Sequence, residues 1–345
     1  MEHADQGQDF MPRTIGFASE RWPLKTPFRI ARGVRTVSDV VTVTIGEDGL
    51  YGRGEGAVTP RYGESVETML EQLASVEAAL AAGMGRDELR DLLPPGSARN
   101  AADCALWDLE TRLHPGRPVL GLAVLTPIPT ALTIGIDTPA AMGEAARALR
   151  GATIVKVKVD GDECEARLRA VRAEVPEARL IVDANEAWSM TLVDHMQPIL
   201  AELGVEFLEQ PLHAGADSAL EGYRPLVPIC ADESCHTSAD IARLKTRYNM
   251  VNIKLDKTGG LTEALDLSAA ARAAGMHIMV GCMISTSLSI APAFHVAAAA
   301  ECADLDGPLW LREDRTGGVT LAPRGIMHPP AADFWAPVAR VAPPA

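Results

Sequence analysis

Five successive apolar segments of this chain close on a charged residue. Lys158 ends IVKVK, Asp183 ends RLIVD, Glu209 ends VEFLE, Asp232 follows PICA and Lys254 follows MVNI. Carboxylates gathered on one rim repel one another unless a cation lies between them, and an all-oxygen set selects Mg²⁺. Zinc would want histidine or cysteine, and none of the eight histidines forms an HExxH pair. His195, His213 and His236 are therefore expected on the surface or in loops. Asp232 and Glu233 are neighbours facing opposite sides of a strand, so Asp232 is taken as the ligand beside Asp183 and Glu209. An octahedron with three monodentate carboxylates keeps room for water and for both oxygens of a substrate carboxylate. Interior salt bridges are the structural alternative, but buried ion pairs are costly and rarely fill consecutive strand ends.

A carboxylic acid held over that metal would present its α-carbon to the lysines. Lys158 and Lys254 fall on the second and sixth of eight apolar segments, nearly opposite in a closed ring. Such a pair suits 1,1-proton transfer: one lysine removes the α-proton, the metal stabilises an enediolate, and the other lysine protonates the opposite face. Lys156 lies two positions before Lys158 and shares its face. Its charge is expected to depress the Lys158 pKa and to help hold the enolate oxygen.

The elements that must position these groups recur at a steady interval. The runs TALTIGI, IVKVKVD, RLIVDAN, VEFLEQP, PICADES, MVNIKLD, HIMVGCM and CADLDGP each precede an alanine- or leucine-rich stretch that reads as a helix. This alternation predicts an α/β protein with a (β/α)8-type barrel over 126–311, a doubly wound sheet being the main competitor. Residues 1–125 read differently. FRIARGVRTVSDVVTVTIGEDGLYGRGEGA alternates like antiparallel hairpins, and two amphipathic helical stretches follow, giving an N-terminal α+β domain. The glycines of YGRGEG are read as a hairpin turn, because a phosphate cradle needs a strand before and a helix after. The proline-rich tail, 312–345, is expected to pack back on the first domain.

A net charge of −14 excludes nucleic acid and anionic membrane as partners. No apolar run reaches the length of a membrane span, the first residues carry no leader pattern, and the six cysteines include no CxxC pair. A soluble cytoplasmic protein with reduced, buried thiols is expected. Subunit number is not legible, and a homo-oligomer stays open.

At these residues the sequence resembles the enolase superfamily and, within it, the muconate lactonizing enzyme subgroup with lysines on strands two and six. KVKVD, IVDANEAW, LEQPL, ICADESCHT and NIKLDKTGGLTEAL follow the family's order along nearly the whole chain. The resemblance implies Asp183, Glu209 and Asp232 as Mg²⁺ ligands and Lys158 and Lys254 as paired acid/bases, a pairing familiar from enolase-superfamily sites. ADLDGP resembles the Asp-x-Asp pair of dipeptide epimerases, in which Asp304 and Asp306 would hold a free α-ammonium. YGES, LPPGSARNAADCALWDLE and GCMISTS look like the L-Ala-D/L-Glu branch. The implied reaction inverts the C-terminal residue of a dipeptide, L-Ala-L-Glu to L-Ala-D-Glu, on a peptide from recycled cell-wall muropeptide. By the same resemblance the first domain caps the barrel, and Arg32 and Arg35, with Arg61 behind them, are candidates for the glutamate side chain. Alternatives are a dipeptide epimerase of other specificity, an N-acylamino acid racemase, a cycloisomerase, a pyridoxal-phosphate racemase and a peptide-binding barrel without turnover.

Overall fold

The computed structural model describes residues 13–31, 33–115, 122 and 125–336. An antiparallel three-stranded sheet comes first: β1 (Thr14–Ile30), β2 (Gly33–Glu47) and β3 (Leu50–Ala57), in that spatial order. Three helices follow, α1 (Val66–Ala81), α2 (Arg86–Leu92) and α3 (Ser97–Leu113). The length of β1 was not anticipated, since its first half, TIGFASERW, alternates exposed and half-buried positions on an outer edge. Its register against β2 breaks between Pro23 and Phe28, where two prolines remove ladder donors.

The YGRGEG glycines correct the hairpin-turn reading, because they lie inside β3. A Cβ on Gly52, Gly54 or Gly56 would come within 2.2 Å of the Ala105, Ala101 or Ser97 carbonyl oxygen. These glycines let the α3 backbone rest directly on the sheet, so α3 is buried on almost every side. The turn itself is Asp48–Gly49, both at positive φ.

After β4 (Ile128–Pro129) the barrel strands run β5 (Ala131–Ile134), β6 (Ile154–Lys158), β7 (Arg179–Asp183), β8 (Val205–Glu209), β9 (Ile229–Ala231), β10 (Met250–Ile253), β11 (His277–Gly281) and β12 (Cys302–Asp304). They form one eight-stranded parallel sheet in sequence order. At its seam the Leu305 amide donates to Thr130 Oγ1 at 2.8 Å and the Thr133 amide to Asp306 Oδ2 at 2.9 Å. Helices α4 (Pro139–Ala148), α5 (Cys164–Glu174), α6 (Met190–Glu202), α7 (Ile241–Leu244), α9 (Leu261–Ala273) and α10 (Ser287–Ala297) lie outside, while the short α8 (Leu255–Thr258) is buried at the mouth against the first domain. After β8 the expected helix is a 3₁₀ segment, Ala214–Leu220, capped by the His213 side chain.

Parity along the strands sets the interior. Ala131, Ile154, Ile181, Phe207, Cys230, Met250, Met279 and Cys302, one from each strand, form an apolar floor. The intervening residues, such as Val155, Val157 and Val182, pack outward against the helices in the main core. Two positions above the floor the layer turns polar: Thr133, Lys156, Asp183, Glu209, Asp232, Asn252, Gly281 and Asp304. A strand buried on both faces must read as apolar nearly throughout, and the lysines are its inward positions at the open end.

The tail closes the molecule. β13 (Thr320–Ala322) and β14 (Ile326–His328) pair antiparallel, and β14 pairs with β4 under the barrel. Trp335 Nε1 donates to the Arg53 carbonyl at 2.9 Å, and the Ala336 amide to Asp108 at 2.7 Å, so the last described residues lie on the first domain.

Candidate active site

Register brings the charged side chains into a row. Lys158 pairs with Asp183 and Asp183 with Glu209 across three adjacent strands, and Asp232 lies two residues beyond Cys230, the partner of Glu209. Lys158 Nζ stands 2.5 Å from Asp183 Oδ2. Lys254 Nζ stands 2.7 Å from Asp232 Oδ2 on the other side. A Cβ on Gly281 would meet Lys254 Cε at 3.0 Å and Asn252 closer still, so the bare seventh position leaves Lys254 its path to the mouth.

Lys156 is surrounded by acids. Its ammonium lies 2.7 Å from Asp304, 2.7 Å from Glu209 and 3.0 Å from Asp183. Burial opposes its charge, but Asp304, Glu209 and Asp183 outweigh that cost and raise its pKa well above the ordinary lysine value. Lys156 is thus the central counter-charge of the acids, where the sequence suggested a charge directed at Lys158. Lys254 behaves alike: burial lowers its pKa, while Asp232 and Glu209 raise it above the usual value.

Two residues that sequence reasoning passed over complete this layer. Lys257, one helical turn after Lys254, is fully buried and donates to Asp232 Oδ1 at 2.7 Å and to the Asn252 carbonyl at 3.0 Å. Asn252 Nδ2 donates to Glu209 Oε1 at 2.8 Å. Asn252 was findable, because it stands two residues above a floor position like every other member of its layer.

The open end is a cavity of about 480 Å³ between barrel and cap. Lys156, Lys158, Asp232, Lys254, Asp304 and Asp306 line its floor, and Phe28, Ile30, Arg35 and Thr59–Tyr62 line its roof. Asp304 Oδ1 is buried without a hydrogen bond. Asp306 accepts from the Thr133 amide, and burial, then the Asp304 charge, pushes its carboxyl up to about 7. Arg35 is half-buried in the roof. Arg61 is bound bidentately to Glu186, with both contacts at 2.8 Å, which ties the cap to the loop after β7. Arg32 lies outside the described residues.

Residues 13–122 match the mandelate racemase / muconate lactonizing enzyme N-terminal domain family, and residues 140–331 match the enolase C-terminal domain-like family. This chain belongs to the enolase superfamily. It is 48% identical over 306 residues to the L-Ala-D/L-Glu epimerase of Escherichia coli K12, covering 88% of this chain and 95% of that one. It is 42% identical to the N-acetyl-D-glutamate racemase of a Pseudoalteromonas species, covering 86% and 95%. An enolase family member from Agrobacterium tumefaciens with homology to dipeptide epimerases, solved with sodium and L-Ala-L-Glu, superposes with a TM-score of 0.90 at 45% identity. That match spans 94% of this chain and 100% of the other. Other dipeptide epimerase structures of the superfamily hold Mg with a dipeptide.

The residues fit such an ion. Glu209 is fully buried, and burial together with neighbouring Asp183 pushes its carboxyl up to about 7 despite Lys156. Its Oε2 receives no hydrogen bond and meets only the Lys156 ammonium at 2.7 Å. Burial also disfavours charge on Asp183 and Asp232, but Lys158 and Lys156, and Lys254 and Lys257, hold both below the usual carboxylate range. Among the described residues, acids are engaged by lysines and no three stand arranged around a common metal position. The donor chemistry is nevertheless all oxygen, anionic and crowded, which a hard divalent cation satisfies.

Proposed function

We propose that this chain is a Mg²⁺-dependent dipeptide epimerase interconverting L-Ala-L-Glu and L-Ala-D-Glu. The observation that carries the reading is the pair of lysines flanking one acidic row, Lys158 against Asp183 and Lys254 against Asp232, in a cavity that Asp304 and Asp306 also line. The L-Ala-D/L-Glu epimerase name of the Escherichia coli relative at 48% identity and the L-Ala-L-Glu bound by the structural relative at 45% support it.

Asp183, Glu209 and Asp232 would hold Mg²⁺, which supplies the positive charge that acidifies a substrate α-proton. Lys158 and Lys254 would approach the α-carbon from opposite faces. One, unprotonated, takes the α-proton, and the other, as an ammonium, returns one to the far face. Lys156 holds the acids in place, its ammonium facing Asp183, Glu209 and Asp304. Asp304 and Asp306 would accept from the free α-ammonium of the N-terminal residue. Arg35 would meet the glutamate side chain from the roof. The cap closes over the substrate and excludes water.

Recycled muropeptide in the cytoplasm is the source we favour for this peptide. Among the described residues no helix is long and apolar enough to cross a membrane. A second reading, racemisation of an N-acylated glutamate, draws on the relative at 42% identity. The two separate on the amine, since only a free ammonium needs the Asp304 and Asp306 charges. Proton NMR of L-Ala-L-Glu with Mg²⁺ in D₂O tests the reading. Deuterium at the glutamate α-carbon and growth of the L,D diastereomer are expected. Exchange with N-acetylglutamate alone would move the assignment to the racemase.

A further inference from the structure

The floor of the cavity near Asp306 has a wall of its own. Trp310 sits four residues beyond Asp306, and its Nε1 lies 3.4 Å from Asp306 Oδ2. Phe28, from the end of β1, meets the Trp310 ring edge-on, with centroids 4.5 Å apart and planes at 67°. Both rings are half-buried and both line the cavity. The pair is braced from outside by the same two segments: Lys25 Nζ donates to the Leu309 carbonyl at 3.0 Å, the Arg312 amide to the Pro23 carbonyl at 2.8 Å, and Leu24 bridges Leu311. A backbone bridge at Leu24–Leu311 and one side-chain tie from Lys25 thus fix the segment just before Phe28 to the segment that carries Trp310.

We infer that Phe28 and Trp310 set the size of the substrate's N-terminal side chain, admitting alanine and rejecting larger residues. This rests on the dipeptide reading above. An ammonium that donates to the Asp306 carboxylate carries its own β-carbon only two bonds away. Trp310 hydrogen-bonds that same carboxylate, so whatever extends from the β-carbon grows in the immediate neighbourhood of the indole and of Phe28 behind it. The lacing of β1 to residues 309–312 prevents the wall from swinging outward to make room. A braced aromatic wall discriminates by overpacking, and one surplus methylene group against such a surface is worth roughly tenfold or more in kcat/KM. The C-terminal residue lies elsewhere in the cavity, between the lysines, so the wall acts on the first residue and leaves the second unaffected.

The test compares kcat/KM for L-Ala-L-Glu, L-Val-L-Glu and L-Leu-L-Glu in the parent and in Trp310→Ala, Trp310→Phe and Phe28→Ala. The parent is expected to prefer alanine over leucine by at least about tenfold. Trp310→Ala and Phe28→Ala should each shrink that ratio about tenfold, while Trp310→Phe, which keeps the bulk, should preserve most of it. A ratio measured within one variant is insensitive to partial misfolding, and Phe28→Ala leaves the hydrogen bond to Asp306 in place. Parental ratios in both alanine variants would overturn the inference, as would a parent that turns over all three peptides equally. Either result leaves dipeptide epimerisation standing. A parent that exchanges the α-proton of no dipeptide would remove both.

Discussion

The barrel rim and the cap roof enclose the same cavity by opposite means. The rim is built from buried charges at the strand ends and just beyond them, each engaged by an opposite charge: Lys158 on Asp183, Lys254 and Lys257 on Asp232, Lys156 among three acids. The roof presents Phe28, Ile30, Val34 and Tyr62 on strand ends and turns, with Arg35 half-buried and Arg61 tied down by Glu186. Buried ionic networks tolerate little change, because removing one partner strands the other. Loop-borne apolar and half-exposed groups tolerate much more. The difference points to chemistry at the rim and to recognition of the C-terminal side chain at the roof.

Substitutions that break this division should do so in order of burial. Lys254→Ala should lower epimerisation of L-Ala-L-Glu by roughly 10²–10⁴-fold in a folded protein, and a smaller loss would mean that the rim has a second proton donor on that face. Lys257→Met leaves Asp232 short of one of its two ammonium partners. Denaturant titration should record a loss of about 3–5 kcal/mol, and calorimetry weaker Mg²⁺ binding. Unchanged values in both would show that the strand alone holds Asp232.

Asp306→Asn should raise KM for L-Ala-L-Glu several-fold more than for its N-acetylated counterpart, and equal effects would count against ammonium recognition. The same residue gives a pH dependence. Its carboxyl is pushed up to about 7, so below that pH it is protonated and neutral, and the substrate ammonium loses a counter-charge. KM for the free-amine peptide should therefore rise as pH falls through about 7, and this slope should vanish in Asp306→Asn. On the roof, Arg35→Ala should raise KM for L-Ala-L-Glu and leave L-Ala-L-Leu unaffected. Arg61→Ala leaves the nearly buried Glu186 carboxylate without its guanidinium and should cost about 1–3 kcal/mol of stability in denaturant titration, with kcat for L-Ala-L-Glu little changed. A large effect of Arg61→Ala on chemistry would erase the contrast between rim and roof.

The rim was legible in the sequence because period two is strict along a strand. Once IVKVK is a buried strand, Lys156 and Lys158 must share the inward face with Ile154, and Asp183, Glu209 and Asp232 follow at matching positions in their own strands. The same rule reaches Asn252, whose amide was overlooked because it is uncharged. Lys257 escaped because α8 begins just after Lys254 and replaces period two with a helical turn. In the cap, the glycines of β3 were misread: a close helix approach, like that of α3 on Gly52, Gly54 and Gly56, is a tertiary demand that a turn-like string of glycines does not announce. The pairing of Arg61 with Glu186 joins residues 125 positions apart, and no local pattern could supply it.

The most direct test of the two-base account is α-proton exchange in D₂O, followed separately from L-Ala-L-Glu and L-Ala-D-Glu, with Lys158→Ala and Lys254→Ala. Each variant is predicted to exchange the α-proton of one epimer only, the two variants choosing opposite epimers, with neither completing epimerisation. Exchange of both epimers by either single variant would contradict the assignment of one lysine to each face.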